Sequence, residues 1–84
     1  MQEQLWPSRE ESAAMNLRRA IAETRGDFVV EWIERGEKGY FVLFRRGSVV
    51  HREPDIEIAV LEQGAHRDEI RELVERVKSV FDRR

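Results

Sequence analysis

Residues 40–45 read Tyr-Phe-Val-Leu-Phe-Arg and residues 28–33 read Phe-Val-Val-Glu-Trp-Ile, and these two runs decide the fold. β-Branched and aromatic residues of this kind favour strands, and a helical period fits them poorly. Residues 35–39 between them, Arg-Gly-Glu-Lys-Gly, are typical of a turn. The sequence therefore predicts two strands joined as an antiparallel hairpin.

Two further strands are predicted after this hairpin. Gly47 and Ser48 suit a two-residue turn with glycine at its first central position, so a third strand is expected over residues 48–52. Pro54 interrupts pairing, which ends this strand or places it at a sheet edge. The run Ile-Glu-Ile-Ala-Val-Leu within residues 55–61 predicts a fourth strand.

A helix is expected on each side of the strands. The first is predicted over about residues 9–25, because Ser8 and Glu11 have the spacing of a capping box. Gly26 is expected to end it by adopting a positive φ. The second, over residues 65–84, has the clearest amphipathic pattern in the chain. Its apolar stripe consists of Ile70, Leu73, Val74, Val77, Val80 and Phe81.

This order of elements predicts an α+β fold (α-β-β-β-β-α). We expect a two-layer sandwich of an N-terminal helix, a three- or four-stranded antiparallel meander and a C-terminal helix. Eighty-four residues suit one domain, predicted over residues 8–84 after a flexible N-terminal tail at 1–7. A domain of this size buries a modest core, which leaves little room for a deep substrate cleft.

The composition excludes several classes of protein. The chain has no cysteine, which excludes a disulfide framework, thiolate metal sites and a cysteine nucleophile, and favours a reducing cytoplasm. Residues 1–7 lack a signal-peptide pattern, and no apolar run approaches the ~20 residues of a membrane helix, so no membrane partner is expected. With 15 basic and 17 acidic residues, the net charge of −2 is unlike that of a general nucleic-acid binder.

The predicted strands are apolar on both sides, although a sheet covered on one face normally alternates apolar with polar residues. The register between the first two strands stays open. A three-residue loop at 37–39 would put Glu31 opposite Arg45, whereas a two-residue turn at 37–38 would pair Trp32 with Leu43 and mix the two faces. Either register leaves bulky apolar groups on the face that the helices do not cover.

The three-residue loop gathers four apolar side chains on that second face, and these form the candidate partner surface: Val29, Ile33, Phe41 and Leu43. Such a patch approaches the upper end of what monomers expose, a few hundred Å². We expect a partner to bury it, most simply a second copy of the chain. The alternative is that one helix lies on each face of the sheet and no partner is needed.

Two polar groupings are candidates for other functions. Arg45, Arg46 and Arg52 flank the predicted Gly47 turn and could contact nucleic-acid phosphates through an arginine-rich hairpin at 45–52. His51, Glu53 and Asp55 alternate as His-x-Glu-x-Asp, but solvated charges on an edge strand explain this pattern better than a metal or acid–base site.

The sequence thus favours a small, non-catalytic protein-interaction or regulatory module. We expect it to be homodimeric through a sheet face or edge, with no cofactor, no metal and no catalytic residues. A nucleic-acid-binding protein is the first alternative. A small-molecule or enzymatic role in a pocket between sheet and helices is the second.

Overall fold

The computed structural model of the protein describes residues 8–63 and 66–84, and the predicted tail at 1–7 lies outside them. The elements in chain order are α1 (Arg9–Glu23), β1 (Val29–Arg35), β2 (Tyr40–Arg46), β3 (Val49–Ile56), α2 (Ile58–Glu62) and α3 (Arg67–Asp82). The three strands form one antiparallel sheet in the order β1-β2-β3. The helices pack on one side of it, so the prediction of a two-layer α+β sandwich is confirmed.

The predicted fourth strand is wrong, because β3 ends at Ile56 and α2 follows it. Ile58 and Leu61, three residues apart, lie on one side of a helical turn, and Leu61 has no exposed surface. The Asn16 side chain donates a 2.7 Å hydrogen bond to the Leu61 carbonyl and so ties α2 to α1. Short apolar runs fit either a strand or a buried helix, and packing against α1 decides between them here.

Helix α1 begins as predicted and ends differently. The Glu11 amide donates to Ser8 Oγ at 3.2 Å, which caps the first turn. At the other end Arg25, not Gly26, adopts the positive φ of 59°. The Gly26 amide donates to the Ile21 carbonyl, which completes a Schellman closure of the helix. Gly26 is needed for space instead, since a Cβ there would lie 2.9 Å from the Phe28 ring.

A bulge in β1 settles the register that the sequence leaves open. Trp32 pairs with Leu43, as the two-residue-turn register requires, but the pairing shifts by one residue between Val30 and Trp32. Glu31 is therefore the extra residue, and it still reaches Arg45 with its carboxylate at 2.6 Å. A bulge of this kind redirects the side chains on either side of it.

The β2–β3 turn forms as predicted, with Gly47 at φ 62° and Arg46 paired with Val49. Near the other end of β3 the ladder is irregular, because Tyr40 pairs with Ile56 while Val42 pairs with Glu53. This strand lies at one edge of the sheet, as the proline within it predicts.

The core lies between the helices and alternate residues of β2. Tyr40, Val42 and Phe44 have no exposed surface, and they pack against the buried stripes of α1 and α3. The Phe28 ring meets Phe44 edge-on at 5.7 Å and Phe81 at 5.2 Å, joining sheet and helix. Because side chains alternate along a strand, this arrangement turns the intervening residues of β2 away from the helices.

The end of α1 gives a matched pair of stability predictions. Gly26→Ala should cost about 1–3 kcal/mol, because the new methyl overlaps the Phe28 ring in a packed core. Arg25→Gly should instead stabilise by about 0.5 kcal/mol, since relief of left-handed strain exceeds the added freedom of the unfolded chain. Urea unfolding followed by tryptophan fluorescence measures both. Equal effects of the same sign would contradict this account of the helix end.

Candidate functional site

The side of the sheet that faces away from the helices is the candidate site, and we call it the open face. Its apolar members are Val29, Trp32, Phe41, Leu43 and Val50. Its charged members are Glu31, Glu34, Arg45 and Arg52. Within residues 8–63 and 66–84, no helix packs on this side of the sheet.

The open face exposes large apolar groups to solvent. Trp32 is 57% exposed, Val29 48% and Val50 44%. Phe41 and Leu43 lie between them on the central strand and are half-buried by these neighbours. Exposed apolar side chains that lie together on one face, rather than singly, are the feature that marks an interaction surface.

Three of the four residues predicted for this surface lie on it, namely Val29, Phe41 and Leu43. Ile33 is the correction: it pairs with Val42 and packs against the core on the covered face. Trp32 takes its place on the open face, because the bulge at Glu31 shifts the alternation of β1 by one residue. The sequence contained one signal for Trp32 on this face: the register set by a two-residue turn at 37–38 pairs Trp32 with Leu43.

The charges on the open face are partly paired with one another. Arg45 Nε donates to Glu31 at 2.6 Å, and its guanidinium also donates to the Gly47 carbonyl at 3.0 Å. Both side chains of this pair remain 44% exposed, so the contact adds little stability. Glu34 and Arg52 stand near opposite edges of the sheet, on β1 and β3 respectively.

The three arginines of the predicted nucleic-acid hairpin are not gathered on one surface. Arg45 and Arg52 lie on the open face, whereas Arg46 lies on the helix side of the sheet. There it contacts Asp82 at 2.6 Å and Asp27 at 2.8 Å, with its guanidinium 5.3 Å from the centre of the Phe81 ring. These contacts give Arg46 a part in joining β2 to α3.

The His-x-Glu-x-Asp pattern separates in a similar way. His51 and Glu53 both lie on the helix side of β3, with His51 Nε2 3.1 Å from the Glu53 carboxylate. The other carboxylate oxygen of Glu53 accepts a 2.9 Å hydrogen bond from Arg76 of α3. Asp55 adopts a positive φ of 58° at the irregular end of the strand. Among residues 8–63 and 66–84, no group of three or more potential ligands is placed to hold a metal ion.

A partly buried polar cluster joins the sheet to α2. The Tyr40 hydroxyl donates to Glu62 Oε2 at 2.7 Å, and Arg35 Nε donates to the same oxygen at 2.6 Å. Burial and the hydrogen bond to Glu62 raise the pKa of Tyr40. Burial also acts to raise the pKa of Glu62, but the hydrogen bonds from Tyr40 and Arg35 outweigh it and hold that pKa below its ordinary value. Because ionised Glu62 accepts hydrogen bonds from both Tyr40 and Arg35, it is suited to hold α2 against the sheet.

Two of the cavities formed by the described residues lie along the helical layer. One, of about 120 Å³, lies between α1 and the start of β1 and is lined by Arg18, Ile21, Phe28, Val29 and Val30. The other, of about 10 Å³, lies between α1 and α3 and has room for about one water molecule. Both are smaller than the ~300 Å³ at which sites for drug-sized ligands begin.

No family model, curated protein or solved structure matches this chain. Over the described ranges 8–63 and 66–84, none of the helices has the length and apolar character needed to span a lipid bilayer. The site must therefore be interpreted from its own geometry.

The Tyr40–Glu62–Arg35 cluster predicts a specific dependence of stability on pH. Glu62→Gln should lower the free energy of unfolding by about 1–2 kcal/mol at pH 7, because Arg35 loses its ionised partner. The folded-state pKa of Glu62 lies below the unfolded value, so its contribution is present above that unfolded value. It disappears as the pH falls through the folded-state pKa.

Urea unfolding of wild type and Glu62→Gln between neutral and acidic pH measures this difference. The gap should be widest at pH 7 and should close below about pH 4. Glu72→Gln, on the exposed side of α3, is the matched control and should leave stability unchanged at each pH. If the difference in unfolding free energy between wild type and Glu62→Gln stays constant with pH, the ionised form of Glu62 does not provide the stabilisation.

Proposed function

We propose that this protein is a small non-catalytic interaction or regulatory module that docks its open face onto another protein surface. In the simplest case that surface belongs to a second copy of the chain. The observation that carries the proposal is the exposure of Trp32, Val29 and Val50 on one face of a sheet whose opposite face packs against the helices. Burying a large apolar side chain contributes ~1.5–3 kcal/mol, so a partner would gain substantially from covering these three side chains.

Docking through the face is favoured over docking through an edge of the sheet. The bulge at Glu31 interrupts the pairing pattern of β1, and such bulges twist an edge away from further strands. On the other edge, Pro54 has no N–H to donate and Asp55 has a positive φ. Both edges therefore carry features that oppose the addition of another strand.

The non-catalytic part of the proposal rests on the structural tasks of the polar side chains at the sheet–helix boundary. Glu62 joins α2 to Tyr40 and Arg35, Glu53 joins β3 to α3, and Arg46 joins β2 to α3. Each group is engaged in holding two elements together. We place the module in a reducing cytoplasm, because a chain this small without cysteine fits that compartment best.

Photo-cross-linking in living cells tests the docking surface. With benzoylphenylalanine in place of Trp32, we expect a discrete cross-linked product containing either a second copy or one other protein. The matched control carries the same group in place of Met15, which is 47% exposed but lies on α1. That position should give no discrete product.

Leu43→Lys should abolish the Trp32 product, because it places a charge at the centre of the open face. Circular dichroism of the purified variant should show an unchanged fold, since Leu43 points away from the core. Equal cross-linking from both probe positions, or a product that survives Leu43→Lys, would argue against the open face as the docking surface.

A further inference from the structure

The open face has a regular layout in which residues on neighbouring strands lie side by side. One row runs Val29–Arg45–Val50, and the next runs Trp32–Leu43–Arg52. A third row begins Glu34–Phe41. The middle of the face is thus apolar, with Leu43 and Phe41 on the central strand.

The charges are distributed unequally between the two edges of this layout. Glu34 lies on β1, two residues after Trp32, while Arg52 lies on β3 at the level of Trp32. Among the described residues, neither Glu34 nor Arg52 forms a salt bridge. The face therefore offers an unpaired carboxylate at one edge and an unpaired guanidinium at the other, which is the requirement for self-complementarity.

Two symmetric ways of stacking two open faces can be compared on this layout. An axis perpendicular to the strands places β1 over β1 and β3 over β3, and when it crosses the Trp32–Leu43–Arg52 row, Arg52 faces the same residue of the other copy. An axis parallel to β2 places β1 over β3 and β2 over β2. The first arrangement then opposes the unpaired Arg52 to itself. The second puts Arg52 of one copy over Trp32 of the other and opposes only Arg45 to Arg45, each of which is already paired with Glu31 of its own copy.

We propose that a second copy of the chain covers the open face about a two-fold axis parallel to β2, with the partner's Arg52 stacked on Trp32 and paired with Glu34. The inference rests on the proposed function and names its partner and the residues that set its orientation. A guanidinium over an indole face gains a cation–π contact, and the carboxylate two residues along β1 is within reach of the same guanidinium. The symmetry makes this contact twice, while Leu43 meets the partner's Leu43 at the centre.

The size of the open face indicates the affinity that such a dimer should have. Three strands of seven or eight residues, at about 4.8 Å between strands and ~3.3 Å per residue, give a planar footprint of roughly 350 Å² per copy. A standard stable interface buries about 800 Å² per partner. We therefore expect a reversible dimer with a dissociation constant in the micromolar range.

Charge reversal across the predicted contact tests the arrangement by sedimentation velocity. The wild type should dimerise with rising concentration, whereas Glu34→Arg and Arg52→Glu should each weaken self-association by about tenfold or more, because each puts like charges together twice. Mixed in equal amounts, the two variants should form a heterodimer tighter than either variant alone, because both charge pairs are restored and one of the two Arg52–Trp32 contacts is kept. Both positions are exposed, so the fold should tolerate the changes.

Glu75→Arg, an equal charge reversal on the exposed side of α3, is the matched control and should dimerise like the wild type. A wild type that stays monomeric up to about 300 µM would overturn the inference, since that exceeds the expected dissociation constant many-fold. In that case a Trp32 cross-link to a different protein would leave the proposed function standing.

A wild-type dimer that neither single reversal weakens would also overturn the inference, because the dimer would then use another surface. Failure of the mixed variants to associate, with both single reversals impaired, would overturn the parallel axis. The arrangement stands only if both variants are impaired alone and restored together.

Discussion

The alternation of side chains along β2 is the constraint on which the rest of the structure depends. Tyr40, Val42 and Phe44 point into the core and have no exposed surface. Because a strand turns successive side chains to opposite faces, Phe41 and Leu43 must point outward. No choice of rotamer can bury all five on one side. Among residues 8–63 and 66–84, α1 and α3 are the only long helices, and both cover the inward face. An apolar outer surface follows directly.

The bulge at Glu31 determines what this outer surface contains. It lets Val30 and Ile33, which are an odd number of residues apart, both pack toward the core. The same shift brings Trp32 outward, where it is paired with Leu43. The bulge therefore places more apolar side chains in the core under the helices and also adds an apolar side chain to the opposite face. The bulge also interrupts the regular hydrogen-bonding pattern of β1. A partner is therefore expected to bind the face of the sheet and not its edge.

The polar groups show a division between those that hold the fold and those that remain at the surface. Arg46, Glu53 and Glu62 each connect the sheet with a helix. Arg52 and Glu34 lie on the open face and have no such task among the described residues. Neighbouring residues of similar chemistry thus differ in role according to the face they occupy. Arg45 and Arg46 are adjacent in sequence and lie on opposite sides of the sheet, which separates the arginines of the hairpin.

The sequence by itself determined the features that depend on local chemistry: the Ser8 cap, the glycine turn at 47, the amphipathic stripe of α3 and the two apolar sides of β2. Only the tertiary structure decided the rest. Residues 58–62 became a helix because Leu61 packs beneath α1, and Trp32 replaced Ile33 on the open face because a bulge satisfied the core better. Both outcomes depend on contacts between residues far apart in the chain. A short apolar run carries no local signal that distinguishes them.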